Sequence, residues 1–206
     1  MKKIVCLFFI VFLFSSTTQA QQRFKAGVKL GLSTSQVAGD TYSGFHKAGL
    51  AAGGYVTAKL NEKWTVQFEI IYIQKGSKHN YNEEAGDFTY YFLQLDYIEV
   101  PLLFQFHQKK FTFELGPGFA YLVKEKEYNH IQDLTGYRPF NKNEITLNIG
   151  ISYLIYKRLG MNWRYTNSVS SIRSHASGAS TWNNPGQRNN VITFSLIYTF
   201  GHATEE

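Results

Sequence analysis

Between Tyr97 and Tyr121 the chain carries two runs of alternating character, Tyr97-Ile-Glu-Val-Pro-Leu-Leu-Phe-Gln-Phe and Phe111-Thr-Phe-Glu-Leu-Gly-Pro-Gly-Phe-Ala-Tyr, linked by His107-Gln-Lys-Lys110. Successive side chains of a strand point to opposite faces. Ile98, Val100, Leu102, Phe104 and Phe106 therefore share a side, as do Phe111, Phe113, Leu115, Phe119 and Tyr121. Glu99, Gln105, Thr112, Glu114, Gly116, Gly118 and Ala120 take the other. The spacing predicts a β-hairpin whose strands each match the roughly 9–11 residues that a tilted strand needs to cross a bilayer.

The same period recurs on both sides of this hairpin. Arg23 to Leu32 sets Phe24, Ala26, Val28, Leu30 and Leu32 against Lys25, Gly27, Lys29 and Gly31. His46 to Lys59 is rich in Gly and Ala, which predicts close packing. A third strand starts at Trp64 and alternates Val66, Phe68, Ile70 and Tyr72 with Gln67, Glu69 and Ile71. Beyond the hairpin, Glu144 to Leu154, Leu159 to Thr166 and Asn190 to Phe200 alternate in the same way. Eight strands result, with short turns at 60–63, 107–110 and 155–158 and long loops at 33–44, 75–87, 124–143 and 167–189. Short connections on one end and long ones on the other are the habit of outer-membrane barrels, whose external loops are the long ones.

Energy decides which face looks inward. A lysine or arginine facing lipid at mid-membrane costs about 2–4 kcal/mol, and the face bearing Lys25, Lys29, Lys47, Glu69, Glu99, Glu114 and Arg164 would incur several such costs. That face lines the lumen. A water-soluble barrel needs the opposite arrangement and would expose Phe104, Phe106, Phe111 and Phe113 to solvent. Aromatic residues near the strand ends, Trp64, Phe106, Phe111, Tyr153 and Phe200 on one rim and Tyr72, Tyr90, Tyr121 and Tyr165 on the other, fit interfacial girdles. The expected fold is all-β: an eight-stranded antiparallel transmembrane β-barrel.

Composition is compatible with this reading and adds location. The 206 residues are 44% hydrophobic and 17% aromatic, enough for one domain. Mean hydropathy is −0.25, as it must be when strands average an apolar and a polar face. The first twenty residues differ from the rest. Lys2 and Lys3 precede an apolar run from Ile4 to Phe14, then Thr18-Gln19-Ala20 offers a cleavage site. This predicts a signal peptide over 1–20, removed to leave a single barrel domain over 21–206 and export to the outer membrane. Cys6, the one cysteine, leaves with the leader, so no disulfide or thiolate chemistry is expected. Losing Lys2 and Lys3 lowers the formal charge of +6 by two, and the remaining mild excess on an exported chain argues against a nucleic-acid partner.

Several segments resemble a known family. Tyr97-Ile-Glu-Val-Pro-Leu-Leu-Phe104, Gly44-Phe45-His46, Ala48-Gly49-Leu50, Gln67-Phe-Glu-Ile-Ile-Tyr-Ile-Gln-Lys-Gly76, Glu114-Leu-Gly-Pro-Gly-Phe119 and Arg164-Tyr165 are similar, in order and spacing, to the PorT-like family of outer-membrane β-barrels. The resemblance spans almost all of the mature chain and implies the fold and the location. Its namesake implies a role in type IX protein secretion. The tail Gly201 to Glu206 departs from barrels that end on an aromatic residue.

Candidate chemistry is sparse. His46, His79, His107, His130, His175 and His202 lack the paired spacing of a zinc site, so no metal or other cofactor is expected. Ser174, His175 and Ser177 share a Ser-rich loop with no acid nearby in sequence; the competing reading is a membrane-embedded lipid hydrolase. Gly116-Pro-Gly118 precedes no helix and so is no phosphate loop. The sharpest feature is the inward group Glu69, Glu99, Glu114 and Arg164, expected to form a structural ionic cluster that plugs the lumen. No catalytic residue is assigned. The expected protein is a monomeric, non-enzymatic barrel in contact with outer-membrane lipid and lipopolysaccharide. It acts through external loops that hold Tyr128, Tyr137, Arg138, Arg173, Trp182 and Arg188, either on a protein partner or in envelope integrity.

Overall fold

A computed structural model describes residues 24–42, 44–175 and 186–200; the predicted leader, Trp182, Ser177 and the tail 201–206 lie outside the described residues. Eight strands run in chain order: β1 (Phe24–Ala38), β2 (Lys47–Lys59), β3 (Trp64–His79), β4 (Tyr91–Gln108), β5 (Phe111–Asn129), β6 (Asn143–Tyr156), β7 (Leu159–Ser168) and β8 (Arg188–Thr199). Each pairs antiparallel with its neighbours, and β1 joins β8 from Gly27↔Thr199 to Ala38↔Arg188, closing the barrel. Closure leaves no open sheet edge around the wall, the condition for placing strands in hydrocarbon.

The apolar face is outermost. Leu30, Leu32, Ile70, Phe104, Leu115, Ile149, Phe194 and Leu196 are exposed around the whole circumference. At the short-turn end the belt finishes in aromatic pairs, with Trp64 on Phe106 at 5.0 Å and Phe111 on Tyr153 at 5.1 Å between ring centroids. Of the predicted charges, Lys29, Glu69, Glu99, Glu114 and Arg164 are buried in the lumen, Lys47 is buried with its ammonium over the Phe92 ring, and Lys25 is exposed.

The strands run further toward the long-loop end than the sequence reading placed them. β1 continues from Leu32 to Ala38, and β3, β4 and β5 reach 16, 18 and 19 residues. Their outward residues turn polar there: Gln74 and Lys78 on β3, Gln94 and Asp96 on β4, Lys124 and Lys126 on β5. Three adjacent strands thus rise past the apolar belt as a tall wall. A bulge at Val123, where Asp96 pairs with Lys124 and Tyr97 with Leu122, shifts the phase of β5. Past it Glu127, rather than an even-numbered residue, points inward and is buried.

Inside this taller half the lumen is greasy. Val37, Ala51, Ile71, Ile73, Leu93, Leu95, Tyr97, Leu122 and Val191 form a core joined by Phe140 and Ile172 from two long loops. Sequence reading foresaw a polar plug and no apolar one.

Candidate functional site

Three charged layers stack through the lumen. In the lowest, Arg164 on β7 is gripped by two carboxylates. Its NH1 and NH2 each donate to Glu69 of β3 at 2.7 Å, and its Nε donates to Glu114 of β5 at 2.7 Å. Lys29 of β1 adds a second cation 3.7 Å from Glu69. The remaining lone pairs are used as well: Gln67 donates to Glu69 at 2.5 Å, and Asn162 and Gln105 donate to Glu114 at 2.9 and 3.3 Å. Burial makes such saturation a requirement, because an uncompensated charge in a dry lumen costs several kcal/mol. Gly150 keeps the space open: a Cβ there would lie 2.6 Å from Glu114 Oε1.

The second layer gathers around Lys75, fully buried, whose Nζ lies 2.8 Å from Glu99 and 3.2 Å from Glu144. Thr146 donates to Glu99 at 2.8 Å, while Ser168 and Asn189 donate to Glu144. Gly118 serves this layer as Gly150 serves the first, since a Cβ would come 3.2 Å from Glu99. The four predicted residues therefore divide. Glu69, Glu114 and Arg164 come together, whereas Glu99 pairs with Lys75 one layer up. Lys75 and Glu144 were not singled out from sequence, Lys75 because it sits where β3 was expected to have ended. The usable signal was parity, since Lys75 continues the inward series Gln67, Glu69, Ile71, Ile73.

The third layer belongs to the loops. Arg173 donates from NH1 and NH2 to Glu127 at 2.7 and 3.0 Å and from Nε to Gln187 at 2.9 Å, and its guanidinium lies 4.0 Å over the Phe140 ring. Tyr91 donates to the same Glu127 at 2.7 Å. Arg138 donates to the Ser174 carbonyl at 2.8 Å and Asn141 to the Ser171 carbonyl at 2.9 Å, so the two loops after β5 and β7 are knitted to each other. The loop between β3 and β4, with a short 3-10 turn at Glu83–Ala85, is closed separately. There Asp87 accepts from Thr89 Oγ1 at 2.6 Å, from the Thr89 amide at 2.9 Å and shares a hydrogen bond with His79 at 2.7 Å. These bonds, those from Thr89 foremost, hold the Asp87 carboxyl down at about 2. Burial instead raises Asp40 in the loop after β1.

Above the three layers, the crown exposes Tyr81, Phe88, Ile131 and Tyr137, of which Tyr137 is 80% exposed. Between the first two layers lies a void of about 20 Å³, lined by Lys29, Glu99 and Arg164 among others. This is room for one water at most. Among the described residues, no three of the His, Cys, Asp or Glu type gather as a metal site would need.

Comparison with known proteins places this architecture. The family model for the outer membrane protein beta-barrel domain matches residues 19–174. The crystal structure of Neisserial surface protein A, NspA, is similar with a TM-score of 0.52 at 14% identity, over 85% of this chain and 97% of that one. Ail, the attachment invasion locus protein of Yersinia pestis, aligns over 86% of this chain and 99% of its own at 11% identity and a TM-score of 0.48. OprG from Pseudomonas aeruginosa aligns over 87% and 95% at 13% identity and a TM-score of 0.35. No curated protein matches the sequence.

Proposed function

The chain belongs to the outer membrane protein beta-barrel domain family, and on that premise we propose that it is a non-enzymatic barrel with a sealed lumen whose long loops bind a partner outside the cell. It is a protein of the outer membrane, where such barrels hold their short turns in the periplasm and their long loops outside. The observation that carries the reading is the anchored crown. Phe140, Ile172 and Arg173 fasten the loops after β5 and β7 into the lumen, so the exposed Ile131 and Tyr137 stand on a fixed base, while Tyr81 and Phe88 stand on the β3–β4 loop that Asp87 closes. Exposed aromatic side chains on a rigid support suit a contact surface, because little conformational freedom is left to lose on binding. The outer lipopolysaccharide leaflet meets the same wall, and closure without a free edge favours a monomer. Residues 1–20 act as the cleaved export signal, which the mass of the mature protein tests directly.

Replacing Tyr81, Phe88, Ile131 and Tyr137 together by Ser leaves the anchors untouched. The variant should fold as wild type yet lose the partner that surface cross-linking captures on whole cells; unchanged capture sinks the reading. The hydrolase alternative makes a different demand. Purified barrel in phospholipid vesicles should release no fatty acid, and release that Ser174→Ala or His175→Ala abolishes would establish an enzyme instead. The type IX alternative rests on the sequence resemblance alone, and it requires that a deletion strain trap secreted cargo in the periplasm.

A further inference from the structure

Below the Arg164 layer the lumen widens into a vestibule of about 360 Å³ that opens at the short-turn end. Six cations line it, Lys25, Lys59, Lys109, Lys110, Lys157 and Arg158, against Glu62 as the one carboxylate among its described lining residues. Rim lysines on a membrane barrel ordinarily reach outward to lipid headgroups, but two of these cannot be read that way. Lys25 follows the inward parity of Gly27 and Lys29 on β1, and Lys59 that of Tyr55 and Thr57 on β2. Both are lumen positions on adjacent strands, with Lys25 paired to Thr57.

The other four occupy two-residue turns, Lys109-Lys110 and Lys157-Arg158, built alike. In each the first residue has positive φ, 54° at Lys109 and 40° at Lys157. Turn geometry by itself favours Asn, Asp or Gly at such a position, so its occupation by lysine twice on one rim is unexplained by backbone needs. The walls between rim and floor carry the polar side chains of Tyr55, Thr65, Gln105, His107 and Thr112 beside the apolar Leu154 and Ile197. His107 bonds through Nε2 to Thr65 and through Nδ1 to Thr112, both at 2.9 Å, and the Thr65 hydroxyl donates to Gln105 at 2.9 Å. With its proton committed to Gln105, Thr65 can only accept from His107, so Nε2 carries a proton, and in the neutral ring Nδ1 accepts from the Thr112 hydroxyl. Tyr55 and Thr199 share a hydrogen bond at 2.7 Å on the opposite wall.

We propose that this vestibule is a periplasm-facing anion site that takes a multiply charged phosphate ligand. Converging like charges repel one another through the low-dielectric mouth, and a polyanion relieves that repulsion while several ammonium groups hold it as point charges. The volume suits a small phosphorylated group and not a folded chain. Such a group reaches the mouth from two sources, a soluble phosphate compound of the periplasm or the headgroup of an anionic lipid in the inner leaflet, and one experiment separates them.

The full mature protein is placed in phosphatidylcholine nanodiscs, with the His107 ring signals followed by NMR. Sodium tripolyphosphate is titrated in, while a parallel sample carries phosphatidylglycerol in the disc. Binding of tripolyphosphate that moves the His107 signals, and that weakens at least tenfold in Lys25→Gln/Lys59→Gln but not in Lys124→Gln/Lys126→Gln at the far end, supports the site with a soluble ligand. Signals that move only with phosphatidylglycerol, and only while Lys25 and Lys59 are present, support it with a lipid headgroup. If neither probe moves His107, or if the Lys25/Lys59 variant binds as wild type, the proposal is overturned. Lys25, Lys59 and Lys124 are exposed and Lys126 is half-buried, and retention of β-sheet circular dichroism confirms that the fold is intact.

Discussion

Arg164 is held by two carboxylates at 2.7 Å in a buried layer, so its loss should be felt at once. Arg164→Met leaves Glu69 and Glu114 facing each other with Lys29 as the remaining cation, and should destabilise the barrel by about 3–5 kcal/mol. Glu99→Leu should cost clearly less, because Lys75 retains Glu144 at 3.2 Å. Urea midpoints of the two variants in lipid vesicles measure the contrast, and equal shifts would show that the two layers are not separate. The loop acid Asp87 gives a pH dependence of opposite origin. Its carboxyl is held at about 2 in the folded loop against an ordinary value of 3.8. A depressed acid contributes stability that is present above the ordinary value and is lost as pH falls through the folded one. The protection of the Thr89 amide, its exchange rate corrected for the intrinsic pH dependence, should therefore hold at pH 5 and fall between pH 4 and pH 2, and Asp87→Asn should remove that fall.

Strands β2, β6 and β7 begin and end within about two residues of where alternation places them, because their outward faces stay apolar until the last residues, Asn143 and Asn167. The upper thirds of β3, β4 and β5 were illegible for a physical reason. Beyond the lipid the outward residues become Gln74, Gln94 and Lys126, while the inward ones become Leu93 and Leu95. Alternation persists there with its sense reversed, and the bulge at Val123 moves its phase, so a reader expecting greasy-out sees a polar loop. The candidate site inherited the same blindness. Glu69, Glu114 and Arg164 lie where the pattern is plain and were found together, whereas Lys75 lies just past the turnover and left Glu99 matched to the wrong cation. The loop anchors were hidden more deeply, since nothing local marks Phe140 or Ile172 as lumen residues. Their burial, at 4% and 0% exposure, predicts losses of about 3–5 kcal/mol for Phe140→Ala and about 2–5 kcal/mol for Ile172→Ala. Thermal unfolding should report both, and full stability of either variant would detach the crown from the barrel.

An eight-stranded barrel has an interior that side chains can just fill, and here they fill it with two ionic layers beneath an apolar core. Purified protein in a planar bilayer should accordingly show no steady conductance, and open channels of porin size would contradict the sealed lumen. The ion pairs that make the seal also impose a timetable on biogenesis. Glu69 and Arg164 are 95 residues apart in the chain, and Lys75 and Glu144 are 69 apart. Each pair reaches across the lumen between strands that are not neighbours. The amino-terminal strands emerge first, and although Glu69 can meet Lys29 and Lys75 can meet Glu99, Glu69 lacks Arg164 and Lys75 lacks Glu144 until β6 and β7 exist. A half-built sheet released into lipid would carry those charges under-paired, so the chain should wait in an aqueous, chaperoned state and enter the bilayer only as the last strands arrive. Insertion and closure are then a single event, and fragments ending before β6 should remain in the periplasm as prey for its proteases.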